Sequence, residues 1–328
     1  MHVAILGATG AVGRTMLQVL AERGFPVDRL SLFASARSAG TRLPWGGREW
    51  EVREPAPGCF KGVEIALFSA GAARSREWAP RAAEEGAIVI DNSSAWRLHP
   101  EVPLVVPEVN PQAIGQRPRG IIANPNCSTI QAVVPLRPLC ELAGLRRVLY
   151  TTFQSVSGAG ERGRAALRHE LAGEPAPETP FARPIAGNAI PQIGDFDADG
   201  WTGEEQKMRE ESRKILGLPA LPVSATCVRV PVDVGHSVQV LAETERDWEP
   251  AQVQRALVAF PGIRLASEAA GFPTPREVAG RDEVYVGRLR RDPDLPRALH
   301  LWVVADNLRK GAATNAVQIA ERLAGAAA

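Results

Sequence analysis

Three glycines near the N-terminus constrain the fold more than any other feature of the chain. The run GATGAVG at residues 7–13 follows the short apolar segment 3–6, and a helical pattern of apolar residues comes next. A GxxGxxG run between a strand and a helix is typical of the first turn of a dinucleotide-binding fold. Gly7 and Gly10 would let the backbone approach a pyrophosphate, and Gly13 would let the helix pack on the strand. The alternative, a glycine-rich turn without a ligand, is disfavoured by this context.

The end of the second predicted strand, residues 30–34, indicates which dinucleotide binds. An NAD site usually carries Asp or Glu there to hold the ribose 2′-hydroxyl. This chain has no carboxylate at that point and instead presents Ser35, Arg37 and Ser38. A fixed cation beside two hydroxyls suits a 2′-phosphate, although the same residues could form an ordinary exposed loop. The sequence therefore predicts NADP (NADPH) as the cofactor.

The rest of the first half alternates strands with a helix. Residues 65–69 and 87–91 read as buried strands, and residues 73–85 between them read as a helix. This alternation predicts a Rossmann-type doubly wound parallel sheet. The segments 69–71 and 92–94 then fall at the carboxyl ends of strands, where ligands bind in such sheets.

Composition excludes several classes of protein. The chain has 328 residues, 45% hydrophobic and 23% charged residues, and a net charge of +1. This balance predicts neither a nucleic acid nor a membrane as partner. No apolar stretch approaches the roughly 20 residues that span a bilayer, and the N-terminus has no signal-peptide pattern, so a cytoplasmic protein is expected. Four cysteines without a CxxC pair predict neither a disulfide framework nor a metal site.

The second half is rich in β-strands. Strands are predicted at 148–156, 225–230, 237–241 and 299–304, separated by long segments. They predict a separate α+β domain with a mixed or antiparallel sheet. Residues 175–193 read as a long excursion, and the helix predicted at 311–323 could pack back on the first domain.

Cys127 is the strongest candidate for a reactive residue. It lies in the segment Asn124–Thr129, just before a helix predicted at 130–142 in which Pro135 and Pro138 leave the geometry open. A thiol at a helix N-terminus feels unpaired N–H groups and the positive end of the dipole, which favour the thiolate and lower its pKa. The same N–H groups could hold an oxyanion. The alternative is a small buried hydrophobe, which the flanking loop and cap residues disfavour.

His236 is the candidate acid/base. Nucleophilic catalysis by a thiol needs an imidazole that can exchange protons with the cysteine and the reacting oxygen. Gly235 precedes His236 and a predicted strand follows, which places it at the edge of an element and not in mid-core. The other four histidines lack comparable surroundings.

Eight segments together give the chain a family resemblance along nearly its whole length. It resembles the aspartate-semialdehyde dehydrogenases, on GATGAVG at 7–13, SARS at 35–38, NSSAWR at 92–97, NPNCST at 124–129, QSVSGAG at 154–160, GWTGEEQKMREESRKIL at 200–216, CVRVPVDVGHS at 227–237 and DNLRKGAATNAVQ at 306–318. The resemblance implies an NADP-binding Rossmann-like domain at 1–126, completed by the C-terminal helix at 308–328. It also implies a catalytic and dimerisation domain at 127–307, and a homodimer or a tetramer.

The resemblance also implies residue roles. Cys127 would be the acyl-accepting nucleophile and His236 the acid/base, with Gln154 beside them. The substrate residues would be Arg97, Asn126, Glu204, Lys207 and Arg229. The cofactor residues would be Gly7, Thr9, Gly10, Ala11, Val12, Gly13, Ser35, Arg37, Ser38, Ser157, Gly158 and Asn307.

These roles fit the substrate that the family implies, L-4-aspartyl phosphate. A rigid Arg229 fork suits its carboxylate, Glu204 could pair with its ammonium group, and Arg97 with Lys207 would bind its phosphate. Glu204 and Lys207 are three residues apart, so a helix would place them on one face; without the resemblance, the residues alone would favour an ordinary surface ion pair. Arg309 and Lys310 are expected to be solvated charges.

The implied reaction is the reversible, NADPH-dependent conversion of L-4-aspartyl phosphate to L-aspartate 4-semialdehyde and phosphate through a thioester, in the biosynthesis of lysine, threonine and methionine. One alternative is reduction of N-acetyl-γ-glutamyl phosphate, whose acylated amine would leave Glu204 unpaired. Another is a non-catalytic NADPH-binding relative, which would need no nucleophile.

Overall fold

The chain divides into two compact units. The computed structural model describes residues 1–176, 178–266 and 271–326. One unit comprises Met1–Asn126 together with the C-terminal segment that begins at Ala312, and the other comprises Cys127–Gly311. Among the described helices, none is both long and apolar enough to cross a membrane.

The first unit is built on a seven-stranded sheet. Its strands are β1 (His2–Leu6), β2 (Arg29–Phe33), β3 (Arg42–Trp45), β4 (Arg48–Arg53), β5 (Ile65–Phe68), β6 (Ile88–Asp91) and β7 (Ile121–Ala123). Their order is β3-β4-β2-β1-β5-β6-β7. Neighbours are parallel except β3 and β4, which form an antiparallel hairpin. The predicted doubly wound sheet is confirmed, with β1 central between β2 and β5.

The hairpin and β7 were not predicted from the sequence. The hairpin strands lie at the sheet edge and expose most of their side chains, so they lack the apolar run by which the central strands are recognised. Gly46 and Gly47 form the turn between them with positive φ angles of 59° and 74°, which glycine adopts without strain.

Three helices accompany this sheet. They are α1 (Ala11–Glu22), α2 (Ala72–Glu84) and α8 (Thr314–Ala326). The apolar side chains of α8 belong to the same buried core as Met16 and Leu20 of α1; Val317 and Ile319 of α8 are fully buried. The C-terminal helix α8 therefore contributes to the core of the first unit. Residues 327 and 328 of the predicted C-terminal segment lie outside the described part of the chain.

The second unit contains a six-stranded mixed sheet. Its strands are β8 (Arg147–Gln154), β9 (Val223–Arg229), β10 (His236–Glu243), β11 (Ile263–Leu265), β12 (Val284–Arg291) and β13 (Ala298–Ala305), in the order β11-β12-β13-β10-β8-β9. The two outer pairs are parallel and the inner pairs antiparallel. Its helices are α3 (Cys127–Ala143), α4 (Gly160–Leu171), α5 (Gly203–Leu216), α6 (Pro250–Ala259) and α7 (Pro275–Val278).

The two faces of this sheet differ in burial. Along β8, Val148, Tyr150 and Thr152 are buried, whereas the alternating residues are half-buried or exposed, with Leu149 36% exposed. The helices α3 and α5 contact strands of this sheet, and Tyr150 of the buried row forms a hydrogen bond with Ser212 of α5. The predicted mixed sheet is confirmed, and one of its faces remains partly open.

In the excursion predicted at residues 175–193, the described residues form no helix; Pro177 lies outside the described part of the chain. Ile185 and Ile190 within it are buried in a small cluster with Val156 and Leu167. The excursion thus packs on the unit that contains it.

The expectation that Arg309 and Lys310 are solvated is wrong. Their exposed fractions are 7% and 0%. Both belong to a π-helical turn, Arg309–Ala313, that connects β13 to α8 inside the fold. Arg309 is paired there, since its Nε donates to Asp282 Oδ1 over 2.8 Å.

Candidate active site

Cys127 is the first residue of α3, three residues earlier than the sequence predicted. Its side chain is half-buried, while Ser128 and Thr129 after it are fully buried. Gly311 packs directly against it, because a Cβ added at Gly311 would lie 2.9 Å from the Cys127 Cβ. The thiol therefore sits at the N-terminus of a helix, where first-turn N–H groups lack helical partners, and a close-packed glycine sets its position.

His236 opens β10 but is completely buried, so the expectation that it avoids the core is wrong. The backbone N–H of Ser155 donates to His236 Nδ1 over 3.0 Å. A backbone N–H can only donate, so Nδ1 carries the lone pair and the neutral ring holds its proton on Nε2. Within the described part of the chain, Nε2 has no hydrogen-bond partner. Burial, and secondarily the charge of Arg229, lowers the pKa of His236 to about 3.

Asn307 anchors the segment that orients His236. Its Oδ1 accepts hydrogen bonds from the Gly235 backbone N–H over 2.8 Å and from Ser155 Oγ over 3.1 Å. Its Nδ2 donates to Ser157 Oγ over 3.0 Å. Asn307 and Ser157, both predicted as cofactor residues, therefore hold the loop before β10 and the turn after β8 together. Ser155, which touches the imidazole directly, was missed by the sequence analysis because its role depends on tertiary packing.

Glu204 lies at the centre of a polar cluster at the start of α5. Thr202 and Glu205 form a capping box that fixes this helix end. Glu204 is 5% exposed; its Oε1 accepts from Gln154 Nε2 over 3.0 Å, and its Oε2 pairs with Lys207 Nζ over 3.1 Å. The predicted shared face is confirmed, but the carboxylate is buried, so the pair is not an ordinary surface ion pair.

Arg229 and His236 both pack against Gly158. Gly158 lies in a 3₁₀ turn after β8, and a Cβ there would be 2.8 Å from Arg229 Nη1 and 3.2 Å from His236 Nε2. Arg229 is 5% exposed and Nη1 donates to the Ser155 carbonyl over 2.6 Å. Burial lowers the pKa of Arg229, and the charges of Glu204 and Cys127 oppose this shift. The unit thus brings a cation, a buried carboxylate and an imidazole together in electrostatic reach of the thiol.

The remaining predicted substrate residues belong to the first unit. Arg97 follows β6 and is 8% exposed; Nε donates to the Asn124 carbonyl over 3.0 Å and Nη2 to the Asn92 carbonyl over 2.7 Å. Asn126 is 6% exposed. Asn124 is held by Asn315 of α8, whose Nδ2 donates to Asn124 Oδ1 over 2.7 Å. This asparagine pair, missed in the sequence, fixes the loop that leads to Cys127.

The three glycines of the predicted phosphate loop have different physical reasons to be glycine. Gly7 has a φ of 90°, and a Cβ there would lie 2.4 Å from the Ser69 carbonyl oxygen. A Cβ at Gly13 would lie 2.2 Å from the Gly7 carbonyl oxygen, so α1 packs directly on the loop. Gly10 has an ordinary φ of −73° and no contact closer than 3.4 Å. Only at Gly10 does the protein itself impose no need for glycine, which leaves the approach of a ligand as the reason.

A cavity of about 370 Å³ opens beside this loop. It lies at the carboxyl ends of β1, β2 and β5, and its lining residues are Leu6, Gly7, Thr9, Gly10, Ala34, Ser35, Pro55, Ser69, Ala70 and Arg74. Ala11 and Val12 form the first turn of α1 next to it. Arg37 and Ser38 form a 3₁₀ turn directly after Ser35, where Arg37 is exposed. The residues present fit a dinucleotide, because the loop, the helix N-terminus and the end of β2 converge on one cavity.

Comparison with known proteins gives a consistent picture. A family model described as "Semialdehyde dehydrogenase, NAD binding domain" matches residues 2–117, and one described as "Semialdehyde dehydrogenase, dimerisation domain" matches residues 136–310. Aspartate-semialdehyde dehydrogenase of Aquifex aeolicus is 51% identical over 98% of this chain and 97% of its own length. The Bacillus subtilis enzyme is 47% identical, with the same two coverages.

Solved structures agree with the sequence comparisons. Aspartate semialdehyde dehydrogenase II from Vibrio cholerae, in a complex with ASA, superposes with a TM-score of 0.96 at 51% identity, covering 99% of this chain and 98% of that one. The Candida albicans enzyme, solved with NADP, gives a TM-score of 0.78 at 27% identity, with 98% of both chains covered.

Proposed function

The chain belongs to the aspartate-semialdehyde dehydrogenase family, and from this premise we propose which of its residues perform the reaction. The family catalyses the reversible reductive dephosphorylation of L-4-aspartyl phosphate to L-aspartate 4-semialdehyde in the aspartate pathway. The observation that carries the residue assignment is the convergence of Arg229 and His236 on Gly158, where an added Cβ would lie 2.8 Å from Arg229 Nη1 and 3.2 Å from His236 Nε2.

Cys127 is the nucleophile of this proposal. Its place at the N-terminus of α3 supports a thiolate, because first-turn N–H groups and the helix dipole favour negative charge there. The sulfur attacks the acyl phosphate carbonyl, the C–O bond to phosphate breaks, and a thioester forms on Cys127 as phosphate leaves. When bound, NADPH supplies the hydride that reduces the thioester carbonyl. The aldehyde then departs and returns the electron pair of the C–S bond to the Cys127 sulfur.

His236 serves the reacting oxygen from Nε2. With Nδ1 accepting from the Ser155 N–H, the proton on Nε2 is available to a carbonyl oxygen that gains negative charge. A second proton would have to enter at Nδ1, where the Ser155 N–H already donates. Burial and the charge of Arg229 also oppose a second proton, because they lower the pKa of His236. In the reductive direction the neutral imidazole therefore acts as a hydrogen-bond donor, from Nε2 to the reacting oxygen. Its role as a base in the oxidative direction requires the ring to release the Ser155 N–H.

The charged cluster of the second unit recognises the amino-acid part of the substrate. Arg229 offers a planar fork for the carboxylate, and Glu204, held by Gln154, offers a negative charge for the ammonium. Lys207, 38% exposed, and Arg97 are the proposed phosphate ligands, and Asn126 an additional substrate contact. Recognition of the ammonium disfavours an N-acetylated substrate, because an acylated amine carries no positive charge to interact with the buried Glu204 carboxylate. Assays with aspartyl phosphate and N-acetyl-γ-glutamyl phosphate separate these two substrates.

NADP is the cofactor, and we propose that the loop at 7–13 with Ser35, Arg37 and Ser38 holds its phosphates. We propose that Ser157, Gly158 and Asn307 contact its reactive end. A second copy of this chain is the proposed partner of the open sheet face in the second unit, in a homodimer or a tetramer. We place the reaction in the cytoplasm, with neither nucleic acid nor membrane as partner.

The test is alanine substitution of Cys127, with Cys140→Ala as the matched control because Cys140 is a half-buried cysteine of the same helix. The assay follows NADPH formation from L-aspartate 4-semialdehyde and phosphate. Cys127→Ala should lower the rate by more than about a thousandfold while NADPH still binds, and Cys140→Ala should remain active. Substantial turnover by Cys127→Ala would remove this residue from the nucleophile role.

A non-catalytic NADPH-binding relative is separated from this enzyme by rapid mixing. A burst of phosphate release, stoichiometric with protein and absent from Cys127→Ala, is expected for a thioester intermediate. A protein that only binds the cofactor would give no burst.

A further inference from the structure

The cofactor cavity contains a charged side chain that the sequence motifs do not include. Among the residues that line it, Arg74 is the one with a charged side chain, and it comes from the first turns of α2. Arg37, the cation expected from the sequence, lies in the adjacent 3₁₀ turn and does not line this cavity. We propose that Arg74 binds a phosphate group of the dinucleotide, a proposal that rests on the proposed NADP site.

The position of Arg74 follows from how the sheet ends. The chain leaves β5 at Phe68, turns through Ser69 and Ala70, and begins α2 at Ala72. Gly7 packs so closely on this turn that a Cβ would lie 2.4 Å from the Ser69 carbonyl oxygen. The start of α2 is thereby held against the phosphate loop, and Arg74 enters the same cavity as Thr9 and Gly10.

Two helices leave their N-termini uncapped at this place. Gly10 precedes α1 and Gly71 precedes α2, and neither offers a side-chain cap. First-turn N–H groups therefore favour an anion here. The lining residues contribute no carboxylate, so a dinucleotide phosphate in the cavity would meet the Arg74 charge without a competing acid in the lining.

The present partner of Arg74 is weakly held. Its Nη1 contacts Glu77 Oε2 over 3.2 Å, and the two side chains are 50% and 40% exposed. Ion pairs this exposed contribute little, because water competes for both partners. A bound phosphate would replace Glu77 as the partner of Arg74, because guanidinium and phosphate form short, charge-assisted, often bidentate hydrogen bonds.

The cavity reaches two kinds of phosphate. Thr9 and Gly10 lie where a Rossmann fold holds the pyrophosphate, and Ser35 lies where it holds the ribose 2′ position. Arg74 would bind the oxygens of either phosphate group through the same charge-assisted hydrogen bonds. NADPH carries both groups and NADH only the pyrophosphate, so the two cofactors distinguish the sources.

The experiment measures the Kd of NADPH and of NADH for the full-length protein and four variants. Arg74→Ala should raise the Kd of NADPH about tenfold, and Arg74→Lys less, because a point charge replaces a two-pronged donor. Arg76→Ala is the control, since Arg76 is an exposed arginine of the same helix that does not line the cavity. It should change the Kd by less than about twofold. Glu77→Gln, which releases Arg74 from its competitor, should tighten NADPH binding.

A loss confined to NADPH assigns Arg74 to the 2′-phosphate, and an equal loss for NADH assigns it to the pyrophosphate; either supports the proposal. Equal effects of Arg74→Ala and Arg76→Ala overturn it, because only general electrostatics would then be at work. Failure of the unsubstituted protein to bind NADPH would instead contradict the proposed cofactor site as a whole.

Discussion

His236 shows how burial and one backbone contact set the chemical state of a side chain. The sequence placed this residue correctly at a strand start, because Gly235 and the apolar run after it are local signals. Its complete burial, its contact with Ser155 and its lowered pKa arise from packing between segments about 80 residues apart, which no local pattern records. Cys127 and the Glu204–Lys207 pair were predictable because helix position and i,i+3 spacing are local properties.

The lowered pKa of His236 predicts a specific dependence of stability on pH. The native pKa is about 3 and the ordinary value 6.5, so between these values the unfolded chain binds a proton that the native protein does not. The free energy of unfolding should therefore fall as the pH drops from 6.5 towards 3. Urea unfolding of the unsubstituted protein and of His236→Asn at pH 7 and pH 5 measures this effect.

We expect a smaller loss of stability between these two pH values in His236→Asn, because asparagine does not titrate. The pKa of His2 is also lowered, mainly by burial, but His2 is present in both proteins and contributes equally. Identical pH dependence in the two proteins would show that the imidazole of His236 is not held neutral by the fold.

At the scale of elements, apolar patterns predicted the central strands and the helices α1, α2, α3 and α8, with ends displaced by one to three residues; α4 and α6 were not predicted. The helix α3 shows why ends are harder: it begins at Cys127 and continues through Pro135 and Pro138 to Ala143. Each proline removes one backbone donor, yet most of the helix is buried, and tertiary packing outweighs this local cost. The sequence could not decide between a kink, an end and a continuous helix, because that balance is set by neighbours.

The phosphate loop and α1 give a prediction that separates stability from binding. Gly13→Ala should destabilise the protein by about 1–3 kcal/mol or more, since its Cβ meets the Gly7 carbonyl. Gly10→Ala should leave the free energy of unfolding nearly unchanged, because nothing lies within 3.4 Å and φ is ordinary. It should nevertheless weaken NADPH binding, because the added methyl group occupies the ligand side of the loop.

Chemical unfolding and NADPH titration of both variants are the measurements. Unfolding of Gly10→Ala at the same denaturant concentration as Gly13→Ala would contradict the distinction between the two glycines. Unchanged NADPH affinity of Gly10→Ala would contradict the position of the phosphates at this turn.

At the scale of the whole molecule, the division into two units and the return of the C-terminal helix follow from the order of elements. The family resemblance supplied the dimerisation domain, and the structure adds a candidate surface, the open face of the mixed sheet. The sequence alone could not identify this face, because the register of six strands decides which side chains share it.

The proposed homodimer is tested at Leu149, a 36% exposed leucine in the middle of β8. Leu149→Arg should shift the protein towards monomers in sedimentation velocity, because an interface of this kind would bury an unpaired charge. Leu171→Arg is the control, since Leu171 is a 69% exposed leucine at the end of α4 and belongs to no strand of the sheet. A Leu149→Arg protein that sediments as the unsubstituted one would place the interface elsewhere.

The placement of α8 in the core of the first unit also has a consequence for synthesis. Met16 and Leu20 are buried in one core with Val317 and Ile319, so this core is complete only when nearly the entire polypeptide has left the ribosome. Roughly three hundred residues are translated in the meantime, at about 5–20 residues per second. The nascent amino-terminal half therefore exposes apolar surface for tens of seconds. We expect a chain that ends before α8 to leave this surface exposed and to be bound by chaperones.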